Sequence, residues 1–462
     1  MARTTTYTQV LALPAADIWR VLGDPQRLPE WNPAVRSAVM HGPVAAGATD
    51  DIVPHGRLLG PVHQRTADPF VLTTVSPERE LTLEQDTPMG RMYLTWTLTP
   101  VAGGTELAQR LTFTGPSAGA VRTIIGNLVE TDARVCFARL AVLAGISPAP
   151  DALTTVIAGG SGALGKHIAA DLVCRGHRVV ILTRRHDPEL PFPQREWDGR
   201  TVGDWAGCLV NPGPTAVVNL AGKLVDCRPT PGNIDELRRS RVDPTRALVA
   251  AAATLDAPVD YWIQASTTAI WSDAGETRCT ETTPLPTDAA ALPQMTGVAA
   301  AWEEAFEGAK ATHSTVLRTS IVLDPQAPAL KRLCQLTRAG LGGRIGDGKQ
   351  WLSWIHIEDW LAIVRAALGL DPQVRLPDGI LVAATEFPVR NRDLMTTLRR
   401  HLHRPPAPPT PKPLLALGAL VLRSDPALGL TGRHATSAVL REAGFRFRYP
   451  TLDDALTDLL PS

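Results

Sequence analysis

The sequence predicts two units of different class, an α+β unit followed by an α/β doubly wound parallel sheet that ends in a small helical C-terminal lobe. Three observations carry this. Residues 1–146 contain Thr-rich segments, Arg91–Thr99 and Thr105–Thr114, whose period of two suits antiparallel strands with one wet face. From Thr154 the pattern changes to short continuous apolar runs alternating with helical stretches, as in a parallel sheet covered on both faces. Between them, Ile146-Ser-Pro-Ala-Pro-Asp-Ala152 has two prolines and no periodicity, which marks residues 147–153 as a linker.

The first unit reads as a strand, short helices, several strands and one long helix. In that helix Val121, Ile124, Ile125, Leu128, Val135, Cys136, Leu140 and Leu143 recur at three and four residues, and Gly145 stops the run as a C-terminal cap does. A curved sheet wrapped on one long helix closes such a pattern. In the second unit, residues 154–403, strands are expected at Thr155–Ala158, Arg178–Thr183, Ala216–Leu220, Tyr261–Gln264 and Ser314–Arg318. A Pro-rich break, Arg404–Pro413, sets off the lobe of residues 404–462.

The 462 residues carry 46 basic and 46 acidic side chains, a balance that argues against nucleic-acid or membrane-surface binding as the main task. The longest apolar run, Leu414 to Leu422, is nine residues, against the roughly 20 a membrane span needs. The polar Thr run after Met1 is unlike an export signal. The six cysteines never fall two or three residues apart, so neither a zinc knuckle nor a redox CxxC is expected, no metal site is predicted, and a reducing cytoplasm is the expected setting.

The chemistry begins at Thr155-Val-Ile-Ala-Gly-Gly-Ser-Gly-Ala-Leu-Gly165, which ends one strand and opens a helix. Gly159, Gly162 and Gly165 give the spacing G-x-x-G-x-x-G. Missing side chains there permit a tight turn, approach of a pyrophosphate to the helix N-terminus at Ala163 and Leu164, and close helix packing. At the end of the next strand an acid would bind the ribose 2′-hydroxyl, but the chain has Thr183-Arg184-Arg185 and its Asp187 comes three residues too late. Two guanidiniums offer bidentate phosphate binding, which favours NADP(H) and singles out Arg184; the plainer reading is a pair of solvated arginines. Asp198 after Trp197, and Asn219, Ala221 and Gly222 in Asn219-Leu-Ala-Gly222, fall where a doubly wound sheet touches adenine and ribose.

With these residues in place, the segment from about 154 to 460 resembles the epimerase-family branch of atypical extended short-chain dehydrogenases/reductases, with its accessory C-terminal domain of unknown function. The resemblance is carried by Gly159 to Gly165, Asn219-Leu-Ala-Gly222, Ser240-Arg-Val242 with Thr245 and Arg246, Leu317-Arg-Thr319, Gly340-Leu-Gly-Gly343, Trp351-Leu-Ser-Trp-Ile-His-Ile-Glu-Asp359 and Ala443-Gly-Phe-Arg-Phe-Arg-Tyr-Pro450. It implies a Rossmann fold and NADP(H) binding, and it raises Arg241 to a cofactor contact above the charged face of Arg238, Arg239, Asp235 and Glu236.

The chain departs from that family at the reaction. Its usual Tyr-x-x-x-Lys dyad lets a phenol of lowered pKa exchange a proton with substrate. The residues four past Tyr7, Tyr93, Tyr261 and Tyr449 are Leu11, Thr97, Ala265 and Asp453, so no dyad exists. By register with Trp302-Glu303, its positions are Met295 and Ala299. The tyrosine pair usual after the next strand is replaced by Ile270 and Trp271. There remain the hydroxyls Ser266, Thr267 and Thr268; Thr267 best fits a contact to the substrate oxygen, or else satisfies backbone groups at the strand end. His356, between Trp354 and Asp359, is the other proton-transfer candidate or a hydrogen-bonded structural histidine. Lys223 stands where related sequences often carry an acid, and Glu276 and Glu281 flank the loop Asp273-Ala-Gly275 near the expected mouth.

Residues 4–145 resemble the START-like, polyketide-cyclase-like (SRPBCC) superfamily through Leu13-Pro-Ala-Ala-Asp-Ile-Trp19, Leu22-Gly-Asp24 and Leu28-Pro-Glu-Trp-Asn-Pro-Ala-Val35. The resemblance implies an α+β helix-grip fold holding a hydrophobic ligand. Trp31 is read as packing for the short helices or as lining an entrance, and His41, His55 and His63 as surface residues. The expected function is an NAD(P)(H)-dependent oxidoreductase or epimerase moving hydride between cofactor and a small carbonyl or alcohol substrate. The alternative is a non-catalytic NADP(H)-binding sensor, motivated by the missing dyad.

Overall fold

The computed structural model describes residues 2–55, 68–87, 89–116, 133–415, 418 and 424–460. Val121, Ile124, Ile125, Leu128 and His63, named above, lie outside the described residues.

Seven strands, β1 (Arg3–Leu11), β2 (Val35–His41), β3 (Thr49–Pro54), β4 (Phe70–Ser76), β5 (Glu80–Thr87), β6 (Gly90–Val101) and β7 (Gly104–Thr114), form the first sheet. They pair antiparallel throughout in the order β1-β7-β6-β5-β4-β3-β2. The period of two places Met92, Leu94, Trp96 and Leu98 of β6 and Leu107, Leu111 and Phe113 of β7 on the buried face. Helices α1 (Ala15–Leu22), α2 (Leu28–Trp31) and α3 (Ala133–Leu143) contribute to the same core. Gly145 at φ +89° ends α3, and Ile146 N–H returns to the Ala141 carbonyl, the left-handed cap expected of it. Trp31 is buried edge-on against Trp96, with ring centroids 5.8 Å apart. With Leu22, Leu28, Leu81 and Leu83 they line a void of about 10 Å³, room for about one water molecule. Trp31 is therefore packing.

The second unit contains β8 (Thr154–Ala158), β9 (Arg178–Thr183), β10 (Gln194–Glu196), β11 (Thr215–Asn219), β12 (Val259–Thr267), β13 (Arg278–Cys279), β14 (Ala311–Thr319), β15 (Ile321–Leu323), β16 (Trp351–Leu352), β17 (Trp354–His356), β18 (Gly379–Ala383), β19 (Val389–Arg390) and β20 (His434–Ala435). Seven of them form one wholly parallel sheet in the order β10-β9-β8-β11-β12-β14-β18. All five residues of β8 and of β11 are buried, as expected of strands covered on both faces. After β8 the chain builds outward through β9 and β10, then crosses back to β11. The carboxyl ends of β8 and β11 thus flank a topological switch point, where doubly wound sheets leave a ligand crevice.

The tail is stitched into this unit by contacts distant in sequence. Strand β20 pairs parallel with β13. Buried Glu281 accepts from the Val382 amide, the Ser437 hydroxyl and the Ala438 amide. Beyond α5 (Pro231–Ala253), α6 (Val298–Glu304) and α7 (Pro328–Arg338), Asp359 at the start of α8 (Ile357–Ala367) takes the amides of Arg448 and Tyr449 at 2.7 and 3.0 Å.

The two units meet along α3 and α4 (Ala163–Cys174). Ala12 N–H bonds the Cys174 carbonyl at 2.7 Å. Asp171, buried on α4, accepts from Arg175 at 3.1 Å, Arg365 of α8 at 3.0 Å and Gln9 of β1 at 3.3 Å. Nearby, buried Arg134 of α3 pairs with Glu358 and lies over the Tyr7 ring. Burial raises the Asp171 carboxyl pKa, but Arg365 and Arg175 outweigh it and hold it below the ordinary value. A depressed carboxyl contributes stability above its unfolded pKa and loses it as pH falls through the folded one. Asp171→Asn is expected to lower unfolding free energy at pH 7 by about 3–5 kcal/mol. In urea titrations the gap from wild type should close as pH drops below about 4; a gap independent of pH would show that the charge is not what matters.

Candidate functional site

At the switch point the backbone runs from β8 through Gly159 to Gly165 into α4. Gly159 has φ +77°, and a Cβ there would lie 2.9 Å from the Leu220 carbonyl, so the turn closes on the end of β11 only without a side chain. At Gly165 a Cβ would sit 2.5 Å from Gly160 Cα, which keeps the first turn of α4 tight against the strand end. Gly162 is the N-cap of α4, and no side chain caps it. Ser161, Gly162 and Ala163 are exposed and Leu164 is half-buried. The result is an open cradle under unspent amides at the positive end of a 12-residue helix, an arrangement that receives anions.

Arg184 and Arg185 follow β9 and are both exposed. Neither guanidinium is engaged among the described residues. The Arg185 backbone exchanges hydrogen bonds with the Thr183 hydroxyl, which fixes the turn that presents both side chains. Asp198 is occupied differently: its carboxylate accepts from the amides of Arg200 and Thr201 and from the Thr201 hydroxyl, which hold its pKa below the usual value. The loop after β10 uses it as a cap. Asn219 is wholly buried; its amide donates to Thr245 and Gln264 and its oxygen accepts from Ala221 N–H, so it shapes the turn that carries buried Ala221 and exposed Gly222.

Arg241 reaches under that turn. It donates to the carbonyls of Leu237 and Lys223 and stacks 5.1 Å from the Trp302 ring. Gly222 leaves it room, since a Cβ there would meet the guanidinium carbon at 3.1 Å. Its charge is held in the protein without an acid, and burial lowers its pKa to about 10. Lys223 pairs with Glu236.

Thr267 ends β12 on the same carboxyl edge of the sheet. Half-buried, its hydroxyl oxygen caps the next turn by accepting from Ala269 N–H at 3.1 Å. Buried Thr268 lies within that turn. Ser266 donates to Glu303 at 2.5 Å, and Glu303 forms a two-point ion pair with Arg318 at 2.8 and 2.9 Å. Arg318 also lies 5.0 Å from the Trp271 ring. Glu303 is the site residue that sequence reasoning missed; the signal available was its place beside Trp302, after the dyad register. Met295 and Ala299 are buried at 4% and 2% exposure, and no Tyr or Lys replaces them.

Three further residues, His356, the proton-transfer candidate, and Glu276 and Glu281, expected near the mouth, are engaged in structural contacts. His356 is 1% exposed. Its Nδ1 accepts from Glu358 N–H at 3.1 Å as the N-cap of α8, its Nε2 bonds Asp458 at 3.2 Å, and its ring stacks on Tyr449 at 3.8 Å. Nδ1 is used in capping α8 and Nε2 in docking the tail, which leaves neither for a substrate. Glu276 is clamped by Arg390 and by the Trp351 indole, which hold its pKa at about 2. Glu281 is spent on the tail, as described. Among the described residues no His, Cys, Asp and Glu cluster could hold a metal ion, and no helix is long and apolar enough to cross a membrane.

Three family models match this chain in succession: polyketide cyclase / dehydrase and lipid transport over residues 2–145, the NAD dependent epimerase/dehydratase family over 155–375, and a domain of unknown function over 410–459. An epimerase family protein of Mycobacterium leprae is 33% identical over 310 residues, covering 65% of this chain and 94% of its own length. The chain belongs to the epimerase family. A second relative, from Mycobacterium bovis, is 32% identical over 309 residues, 65% of this chain and 95% of its own. Among solved structures, human epimerase family protein SDR39U1 with NADPH aligns at TM-score 0.55 and 24% identity over 66% of this chain and 99% of its own. A nucleoside-diphosphate sugar epimerase from Corynebacterium glutamicum aligns at TM-score 0.59 and 21% identity, covering 99% of this chain and 90% of its own, so its fold extends over both units.

The docking role of His356 is measurable. His356→Ala removes an N-cap, a carboxylate contact and a stacked ring, and is expected to cost about 1–3 kcal/mol in urea unfolding. A variant as stable as wild type would remove that role.

Proposed function

We propose that this chain is an NADP(H)-dependent oxidoreductase or epimerase acting on a carbonyl or alcohol of a small molecule, with an N-terminal unit that takes a hydrophobic ligand. The observation that carries the reading is the uncapped N-terminus of α4 above a glycine cradle, with two exposed guanidiniums at the end of the next strand that pair with none of the described residues. In the epimerase family this is a dinucleotide position, and the human relative's structure contains NADPH. The units in this reading are residues 1–146 for ligand binding, the linker 147–153, 154–403 for the dinucleotide and 404–462 as accessory lobe. The six cysteines are free, which fits a reducing cytoplasm.

Gly159, Gly162, Ala163, Leu164 and Gly165 are assigned to the pyrophosphate and Arg184 to the 2′-phosphate. Asn219 and Arg241 shape the turn at Ala221 and Gly222 that borders the nucleotide, and Asp198 holds the adjoining loop. Bound NADP(H) would supply a two-electron redox couple. Thr267 keeps a hydroxyl proton after capping its turn and is assigned to orient the substrate oxygen. Ser266, tied to Glu303 and Arg318, fixes the strand end behind it. With His356 engaged and Met295 and Ala299 inert, proton transfer falls to water, at a cost of roughly 10²- to 10⁴-fold relative to a positioned acid.

Those two inert positions are also what a second reading rests on, a sensor that binds NADP(H) without turnover. Loss of NADPH absorbance across a panel of carbonyl compounds separates the two; tight binding with no consumption of any compound would replace the enzyme reading by the sensor. For the cofactor, Arg184→Ala is expected to weaken NADPH binding by roughly 10- to 100-fold and leave NADH nearly unchanged. Equal losses for both dinucleotides would remove the phosphate role.

A further inference from the structure

A cationic cavity in the second unit is built by loop 340–350, helix α9 (Asn391–His401) and the Pro-rich segment after it. It has a volume of about 180 Å³ and is lined by Arg344, Arg392, Thr396, Arg399, Ala407 and Pro409. It shares no residue with the glycine turn.

Three guanidiniums line it and no carboxylate does. Arg344 makes no side-chain hydrogen bond or ion pair among the described residues. Arg392 reaches only the neighbouring Asp393, at 3.6 Å on the exposed surface. Arg399 donates to neutral oxygens, the Gly342 carbonyl and the Thr396 hydroxyl. Like charges gathered without an acid between them repel, and an anion joining them removes the repulsion.

The backbone is shaped to gather them. At Gly348, φ +71°, a Cβ would lie 2.8 Å from Arg392 Cβ and 3.1 Å from Arg344 Cβ, so the missing side chain lets the two stems approach. At Gly343 it would lie 1.8 Å from the Pro408 carbonyl oxygen, so the loop presses directly on the Pro-rich segment. Thr410 N–H bonds the Arg344 carbonyl at 2.8 Å, Gly346 N–H returns to Thr410 at 2.9 Å, and Arg392 N–H bonds the Gly348 carbonyl at 3.1 Å. The Lys412 side chain lies beside Gly346.

We propose that this cavity binds a phosphate or diphosphate group of a small molecule, at a site separate from the dinucleotide turn. Guanidinium forks match phosphate oxygens two at a time. Volume limits the ligand: at about 180 Å³ the cavity is smaller than the roughly 300–1,000 Å³ that encloses a drug-sized molecule, so it receives a charged head and leaves the remainder outside.

The test is isothermal titration of inorganic pyrophosphate into the full-length protein and into the Arg344→Ala/Arg392→Ala double variant. Both side chains are exposed, so the variant is expected to keep its fold. Saturable binding is expected in wild type and a loss of about tenfold or more in the variant, with part of it restored by lysine at both positions. Equal affinity in the two proteins would place the anion elsewhere, the dinucleotide turn included, and overturn the proposal; so would the absence of saturable binding at millimolar pyrophosphate. NADPH affinity, measured on the same variant, is expected to match wild type, which keeps failure here distinct from failure of the cofactor reading.

Discussion

The seating of α4 on its own glycine turn governs much of this molecule. The helix starts where Gly165 touches Gly160 and Gly159 touches Leu220, so its N-terminal amides can open toward the crevice only while those backbones remain in contact. About two turns later the same helix becomes the floor of the interface with the first unit, through Asp171 and the Cys174 carbonyl. A displacement that relieved one end would disturb the other, because a packed helix moves as a body. The candidate crevice and the interdomain seam are therefore two faces of one placement problem.

Much of the second sheet was legible because its strands are buried on both sides and read as unbroken apolar runs. Strand β9 occupies Arg178–Thr183, as the sequence predicts, and β8 and β11 differ by a residue at their ends. The glycine turn was legible for a related reason: each glycine answers a contact made within a few residues or with the adjacent strand. What could not be read were contacts without period. Strands β13 and β20 have two residues each and pair a loop of the second unit with the distant lobe. His356 read either as a proton carrier or as a structural histidine, and sequence could not separate the two because its partner Asp458 stands 102 residues away. Glu303 was noticed only as a marker of register, since its partners arrive from β12 and β14.

The unusual charge economy of the site follows the same logic. Arg241 is kept inside with carbonyls and an indole for company, while Arg318 receives a full carboxylate and Ser266 is drawn into that pair. The first is the more costly arrangement, because a guanidinium without an acid keeps an uncompensated charge. Its position beneath the Ala221–Gly222 turn makes it a fixed positive potential beside the crevice.

The seam also bears on how such a chain is assembled from parts. The mycobacterial relatives align over 94% and 95% of their own lengths with only 65% of this chain, which leaves no room in them for a unit the size of the first. In this chain the flank of the first crossover helix meets β1 and α3. Joining the two units takes more than a tether: Asp171 on that helix met by Gln9, and Glu358 met by Arg134, close an inner surface where a linker alone would leave an outer one.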